Sequence, residues 1–186
     1  MKSRPADLLT WFRIGAAPSI AWVAMEGWRD AFYILLIVSL VSDLVDGPLA
    51  RRLGQQSAHG ARLDTWADGL TLLAGLAGLF MLESELFRPQ AGWLLGFLLT
   101  YALAAATCLI KFWRLPAYHL YSAKAAALLS GIFVVWLYAF GFSRGLLIGT
   151  LFLGMAANLE SVLVTLRLRA FRTNMRSLLL VEREDK

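Results

Sequence analysis

The chain has 186 residues, of which 59% are hydrophobic and only 17% charged, with a formal charge of +5 at neutral pH and a mean hydropathy of +0.61. A soluble domain of this length carries roughly a quarter of its residues charged, which argues against a water-soluble globule or a disordered tail; Cys108 is the only cysteine, which argues against a disulfide scaffold. The apolar residues come in blocks long enough to cross a bilayer, so the expected class is an all-α polytopic membrane protein. The positive balance suits an anionic inner leaflet and gives no reason to invoke nucleic acid.

In chain order, the first apolar stretch, Leu8–Met25, is amphipathic at its start and continuously apolar after Arg13. Asp7 and Arg13 inside it, and the want of a small-residue cleavage site, distinguish it from a secretory signal. The second block, Ala31–Ala50, runs into Arg51 and Arg52, and the polar segment from Gly54 to Gly60 leads to the third, Ala61–Leu82. Glu83, Glu85, Arg88 and Pro89 mark the next turn. The fourth block, Ala91–Ile110, closes at Lys111, Arg114 and Pro116; the fifth, Tyr118–Phe140, ends at Gly141 and Arg144; the sixth, Gly145–Leu166, gives way to a basic tail. Each is near the roughly 20 helical residues that span hydrocarbon. The expectation is six transmembrane helices with an N-terminal amphipathic segment, forming one membrane domain over residues 1–186.

With the N-terminus in the cytoplasm, Lys2, Arg4, Arg51, Arg52, Arg62, Lys111, Arg114 and the tail arginines all fall on one side. The opposite loops hold Arg29, Arg88 and Arg144, diluted by Glu26, Asp30, Glu83 and Glu85. The positive-inside rule therefore predicts an inner-membrane protein with both termini cytoplasmic. Tryptophans near the block ends, such as Trp28, Trp93 and Trp113, read as interface anchors.

Four acids break the apolar pattern: Asp43 and Asp46 on the second block, Asp64 and Asp68 on the third. An aspartate deep in a spanning helix costs about 2.5–3.5 kcal/mol, so four together would cost on the order of 10 kcal/mol unless something offsets them. Spacings of three and four residues put each pair on one helix face, with Cβ atoms roughly 5–6 Å apart. The short, Gly-containing linker predicts an antiparallel hairpin whose cytoplasmic ends bring the pairs together. Carboxylates so crowded repel unless cations lie among them, and hard oxygen ligands select Mg²⁺, Mn²⁺ or Ca²⁺. Two divalent ions about 3.5–4 Å apart would suit phosphoryl chemistry. Two other readings use the same acids: buried salt bridges to Arg51, Arg52 and Arg62, or the cation path of a transporter.

The neighbouring residues favour phosphate handling. Gly47 allows close approach of a ligand or backbone, and Pro48 removes a helical donor and is expected to bend the helix. Arg51 can meet a diphosphate with a two-pronged guanidinium, and Gly60 allows tight packing or leaves room for a ligand.

Asp43-x2-Asp46-Gly47-x2-Ala50-Arg51-x8-Gly60-x3-Asp64-x3-Asp68 resembles the full signature of the CDP-alcohol phosphotransferases, membrane enzymes of phospholipid synthesis. The segment Asp7-Leu8-Leu9-Thr10-Trp11-Phe12-Arg13 also resembles the Asn-x-x-Thr-x-x-Arg opening of that family, with Asp7 in place of Asn. The resemblance implies transfer of a phosphatidyl group from a CDP-alcohol, CDP-diacylglycerol above all, to an acceptor hydroxyl with release of CMP. It implies that Asp43, Asp46, Asp64 and Asp68 bind Mg²⁺ or Mn²⁺, with Asp68 also the general base. It implies that Gly47, Arg51 and Ser57 hold the CDP moiety, that Ala50 and Gly60 give the nucleotide room, and that the enzyme is a homodimer. The chemistry is coherent: an alcohol needs a positioned carboxylate to take its proton, and divalent ions stabilise charge on the transferring group. A catalytically silent scaffold is disfavoured because every signature position is filled.

Lys111, Arg114, His119 and Lys124 flank the junction of the fourth and fifth blocks, where the family often places acceptor-binding basic groups. Glycerol 3-phosphate or inositol phosphate would suit Lys124, Arg114 and Lys111; topology and interface snorkelling would equally account for them. Gly69 follows Asp68, where many glycerophosphate-using relatives carry lysine, and serine and phosphatidylglycerol stay open as acceptors. His59 reads as an exposed loop residue. Glu160, inside the sixth block, is expected to pair with a basic or polar group on another helix. The glycines of the later blocks read as sites of close helix contact.

Overall fold

In a computed structural model the protein is described at residues 5–52, 58–118, 120–173, 175, 177 and 178. Side chains are described from Thr10 onward, excepting 46–52, 58, 59, 61 and 62. Among these residues the regular structure is helical and includes no strand. The chain divides into two compact units, Met1–Pro89 and Gln90–Lys186.

The first unit contains α1 (Pro5–Met25), α2 (Arg29–Arg52), α3 (Ala58–Leu82) and the single turn α4 (Ser84–Phe87). On α1, Thr10, Arg13, Ala16, Ala17, Ile20, Val23 and Ala24 are buried. Their three- and four-residue spacing makes one continuous stripe along the helix. α1 ends in a Schellman turn: Trp28 donates its N–H to Val23 O at 2.9 Å and Gly27 to Ala24 O at 3.1 Å, with Gly27 in the left-handed region at φ +74°. At the same end, Arg29 Nε donates to Glu83 Oε1 at 2.7 Å and Tyr33 Oη donates to that oxygen at 3.1 Å. This ties the start of α2 to the end of α3.

Glycines set the register between α2 and α3. A Cβ at Gly75 would lie 3.1 Å from Leu36 Cδ1, and one at Gly78 would overlap the Phe32 ring. Leu36 opposite Gly75 and Phe32 opposite Gly78 define antiparallel helices, and the same register continues to Asp43 opposite Asp68. The predicted hairpin is present, but its arms touch each other less than each touches α1. α1 is therefore a wedge along the hairpin, which periodicity did not reveal.

The second unit contains α5 (Ala91–Phe112), α6 (Tyr121–Phe140) and α7 (Arg144–Arg167), with α7 packed against both others. The approach of α5 to α7 rests on Gly154, where a Cβ would lie 2.6 Å from the Phe97 ring, and on Gly96, where one would lie 3.3 Å from Met155 Sδ. Asn158 Nδ2 donates to Thr100 Oγ1 across the same pair at 3.2 Å. Small residues that admit a neighbouring ring or thioether are the usual currency of helix contacts in lipid.

Among the described residues, four stretches are long and apolar enough to cross a membrane: Leu63–Leu82, Ser84–Phe112, Tyr121–Phe140 and Arg144–Arg167. They correspond to the third to sixth expected blocks. The fifth begins three residues later than expected, at Tyr121 rather than Tyr118. Trp113 closes α5 in the left-handed conformation at φ 56°, Pro116 has no N–H to extend a helix, and Leu120 is extended at φ −58°, ψ 147°. The first two expected blocks are helices α1 and α2, and α2 continues through Pro48 to Arg52.

The two glycine environments give a stability test. Gly78→Ala should destabilise the protein by about 1–3 kcal/mol, because the Phe32 ring fills the space a methyl would take. Gly92→Ala, with nothing within 4 Å of the new Cβ, should leave thermal unfolding in detergent unchanged or slightly raised.

Candidate functional site: an acidic cluster around Arg13

Of the four predicted acids, the structure brings Asp43, Asp64 and Asp68 together: one carboxylate oxygen from each lies within 4.8 Å of the other two. Asp43 comes from the later part of α2, and Asp64 and Asp68 from the early turns of α3, as the hairpin register requires. Asp46 lies on α2 one turn after Asp43, with its side chain outside the described residues.

At the centre of the cluster stands Arg13, carried there by the buried stripe of α1. Its Nη1 lies 2.8 Å from Asp43 Oδ1 and donates to Asp64 Oδ1 at 3.0 Å. Its Nη2 donates to Asp68 Oδ1. The Arg13 side chain is 2% exposed, whereas those of Asp43, Asp64 and Asp68 are 30%, 20% and 51% exposed. The guanidinium thus approaches from the protein side and leaves the outer edges of the carboxylates open. A cation with a fixed charge and donors on separate nitrogens in one plane suits this multiple contact.

Arg13 is the residue that sequence reasoning missed, since it weighed Arg51, Arg52 and Arg62 as counter-ions. The signal was present. A charged residue in an apolar helix needs a partner, and Thr10, Ala16, Ala17 and Ile20 place position 13 on the face that packs inward.

Gly47, Ala50 and Arg51 lie on the last turns of α2 and Gly60 on the first turn of α3. The Arg51 side chain is outside the described residues, as are Ser57 and His119 altogether; His59 is on α3 with its side chain likewise outside.

Two basic residues of the second unit, Lys111 and Arg114, have clear local partners. Lys111 Nζ donates to Thr165 O at 3.0 Å and Leu166 O at 2.8 Å, satisfying carbonyls at the C-terminal end of α7 where a cation is favoured. The Arg114 guanidinium lies 5.3 Å from the centre of the Phe171 ring. Lys124 is exposed on the first turn of α6. Beneath Lys111 and Arg114, Cys108, Tyr118, Leu120, Val164, Leu168 and Met175 form a buried cluster. Tyr118 Oη shares a 2.9 Å hydrogen bond with Thr165 Oγ1, and burial pushes its phenol up from the ordinary tyrosine range. Glu160 finds the expected polar partner on another helix: Ser122 Oγ of α6 donates to its Oε2. Its Oε1 also accepts the Leu178 N–H at 3.0 Å, fastening the chain beyond α7.

Carboxylate oxygens converging from two antiparallel helices are a hard-donor set that fits Mg²⁺ or Mn²⁺ and would not select a soft metal. The fold and site define an α-helical, membrane-type protein with a cluster of carboxylates, able to hold a metal ion, at the end of a helix hairpin. The CDP-alcohol phosphatidyltransferase family model matches residues 4–166, and the chain belongs to that family. It is 34% identical over 83 residues to CDP-diacylglycerol--glycerol-3-phosphate 3-phosphatidyltransferase 1, chloroplastic, of Oryza sativa subsp. japonica, covering 45% of this chain and 25% of that protein. It is 35% identical over 82 residues to cardiolipin synthase (CMP-forming) of Streptomyces coelicolor, covering 39% of this chain and 37% of the relative. It is 36% identical over 83 residues to CDP-diacylglycerol--glycerol-3-phosphate 3-phosphatidyltransferase of Cereibacter sphaeroides, covering 39% and 38%. The matched regions thus span well under half the length of these relatives. No solved structure matches the chain.

If the cluster is a divalent-cation site, Mn²⁺ should raise the thermal unfolding temperature of the purified protein and excess chelator should reverse the rise. Asp43→Asn and Asp64→Asn should each shrink the Mn²⁺ effect by more than half. An undiminished effect in both would place the ion elsewhere.

Proposed function

We propose that this protein is a divalent-metal-dependent phosphatidyltransferase of phospholipid synthesis, moving the phosphatidyl group of CDP-diacylglycerol to the hydroxyl of an acceptor alcohol and releasing CMP. The observation that carries the reading is the convergence of Asp43, Asp64 and Asp68 from the two arms of the hairpin, at the spacing of the family signature. The named relatives act, by their names, in glycerophosphate phosphatidyl transfer and CMP-forming cardiolipin synthesis. They support glycerol 3-phosphate as the first acceptor to try, with phosphatidylglycerol and inositol phosphate beside it.

In this reading Asp43, Asp46, Asp64 and Asp68 hold Mg²⁺ or Mn²⁺, as two ions. Bound there, divalent cations would supply charge stabilisation for the diphosphate and for the departing CMP. Asp68, the most exposed acid of the described cluster, accepts the proton of the acceptor hydroxyl as its oxygen forms a bond to the phosphorus bearing diacylglycerol. The bond from that phosphorus to the CMP oxygen breaks, and CMP leaves with the bonding pair. Gly47, Ala50 and Gly60 give the cytidine diphosphate close access to the helix ends, while Arg51 and Ser57 contact it. The acyl chains stay in the bilayer, which explains why polar chemistry is built on apolar helices.

Lys124 and Arg114 would meet a phosphorylated acceptor, with Lys111 assisting from the end of α5. Six spans after an amphipathic opening segment, both termini and the site on the cytoplasmic side of the inner membrane, and a homodimer complete the reading. The family match runs through both units, which supports treating residues 1–186 as a single membrane domain.

The decisive experiment is CMP release from CDP-diacylglycerol by the purified protein, with Mg²⁺ or Mn²⁺ and a panel of acceptor alcohols. Turnover should require both metal and one acceptor. Asp68→Asn should still bind CDP-diacylglycerol with metal but lose at least about a hundredfold in CMP release, the scale of general-base catalysis. Full turnover by that variant would remove Asp68 as the base, and metal-independent release would overturn the mechanism.

A further inference from the structure

We propose that Arg13 is the resident counter-cation of the acidic site: it competes with divalent ions for Asp43, Asp64 and Asp68 and must give up those carboxylates when ions load. The inference rests on the metal-site reading above and adds a role for a residue outside the acid signature. Three observations carry it. The guanidinium engages the same three carboxylates that form the cation cluster, with Nη1 within 3.0 Å of oxygens on two of them. Its contacts with Asp43, Asp64 and Asp68 are each to an Oδ1 atom, so an ion bound through those oxygens would compete with Arg13 for them. Arg13 is also 1% exposed, so water screens it poorly and its charge is felt strongly by a second cation nearby.

The identity of the residue sharpens the claim. A lysine squeezed against divalent ions could lose its proton, but a guanidinium keeps its charge in proteins. Repulsion can therefore be relieved only by movement of the Arg13 side chain away from the carboxylates, or by weaker ion binding. Before ions arrive, the same contacts hold acids from two helices close together, so the site is gathered by the protein's own charge at a cost in metal affinity.

The test measures Mn²⁺ binding to the purified full chain in detergent by electron paramagnetic resonance of free Mn²⁺, without nucleotide or lipid donor. Removing the competing charge in Arg13→Gln should tighten Mn²⁺ binding about tenfold or more, and Arg13→Lys, whose ammonium can shed its proton beside the ions, should bind Mn²⁺ with an affinity between those of Arg13→Gln and wild type. Unchanged or weaker binding by a folded Arg13→Gln protein would overturn the proposal. If that variant does not fold, experimental structures of the wild type with and without saturating Mn²⁺ decide. Nη1 should withdraw beyond hydrogen-bonding distance from Asp43 and Asp64, and retention of both contacts beside a bound ion would overturn the idea. A wild type that binds no Mn²⁺ would defeat the metal-site reading itself and this inference with it, a result distinct from normal wild-type binding with an inert Arg13.

Discussion

The first unit is organised around one electrostatic constraint: acids on two helices of a membrane-type protein lie too close together to be left without a cation. Arg13 meets part of that demand from inside the protein. Its contacts account for the position of α1, which runs along the hairpin and packs more closely on each arm than the arms pack on each other. Burying a guanidinium is costly unless several acceptors surround it, and the convergence of three carboxylates is what permits it. The apolar residues on the same stripe then secure α1 along its length.

The two units use their charged residues differently. In the first, charges converge where the helices meet and keep one side open to solvent. In the second, they finish local structure: Lys111 closes the end of α7, Arg114 covers an aromatic ring, and Glu160 fastens Ser122 and the Leu178 backbone. Both units rely on glycines that admit a bulky neighbour, Phe32 over Gly78 and Phe97 over Gly154. Where lipid supplies no hydrophobic drive between helices, such close contacts provide the attraction.

Much of this was legible in the amino acids. The helical class and the approximate ends of the later helices followed from apolar block length. The hairpin and the convergence of Asp43, Asp64 and Asp68 followed from spacings of three and four residues around a short linker. The delayed start of α6 was less visible, because Tyr118 and Leu120 are apolar enough to read as membrane-spanning, yet they serve the buried cluster between α5 and α7. This partner of the acids was missed for a related reason. Arginines near Asp46 and Asp64 in sequence drew attention, while Arg13 reaches Asp64 and Asp68 across more than fifty positions. Local spacing describes a helix face; it does not say which distant helix will lie against it.

The wedge position of α1 has a consequence for transplantation and evolution. The segment bearing the acids is not a self-sufficient cassette, because its two arms owe much of their separation to a helix that precedes it. Grafting residues 43–68 alone onto another helical pair would carry over the ligands without the element that spaces them. Drift in the opening helix could correspondingly retune the acids without altering any of them.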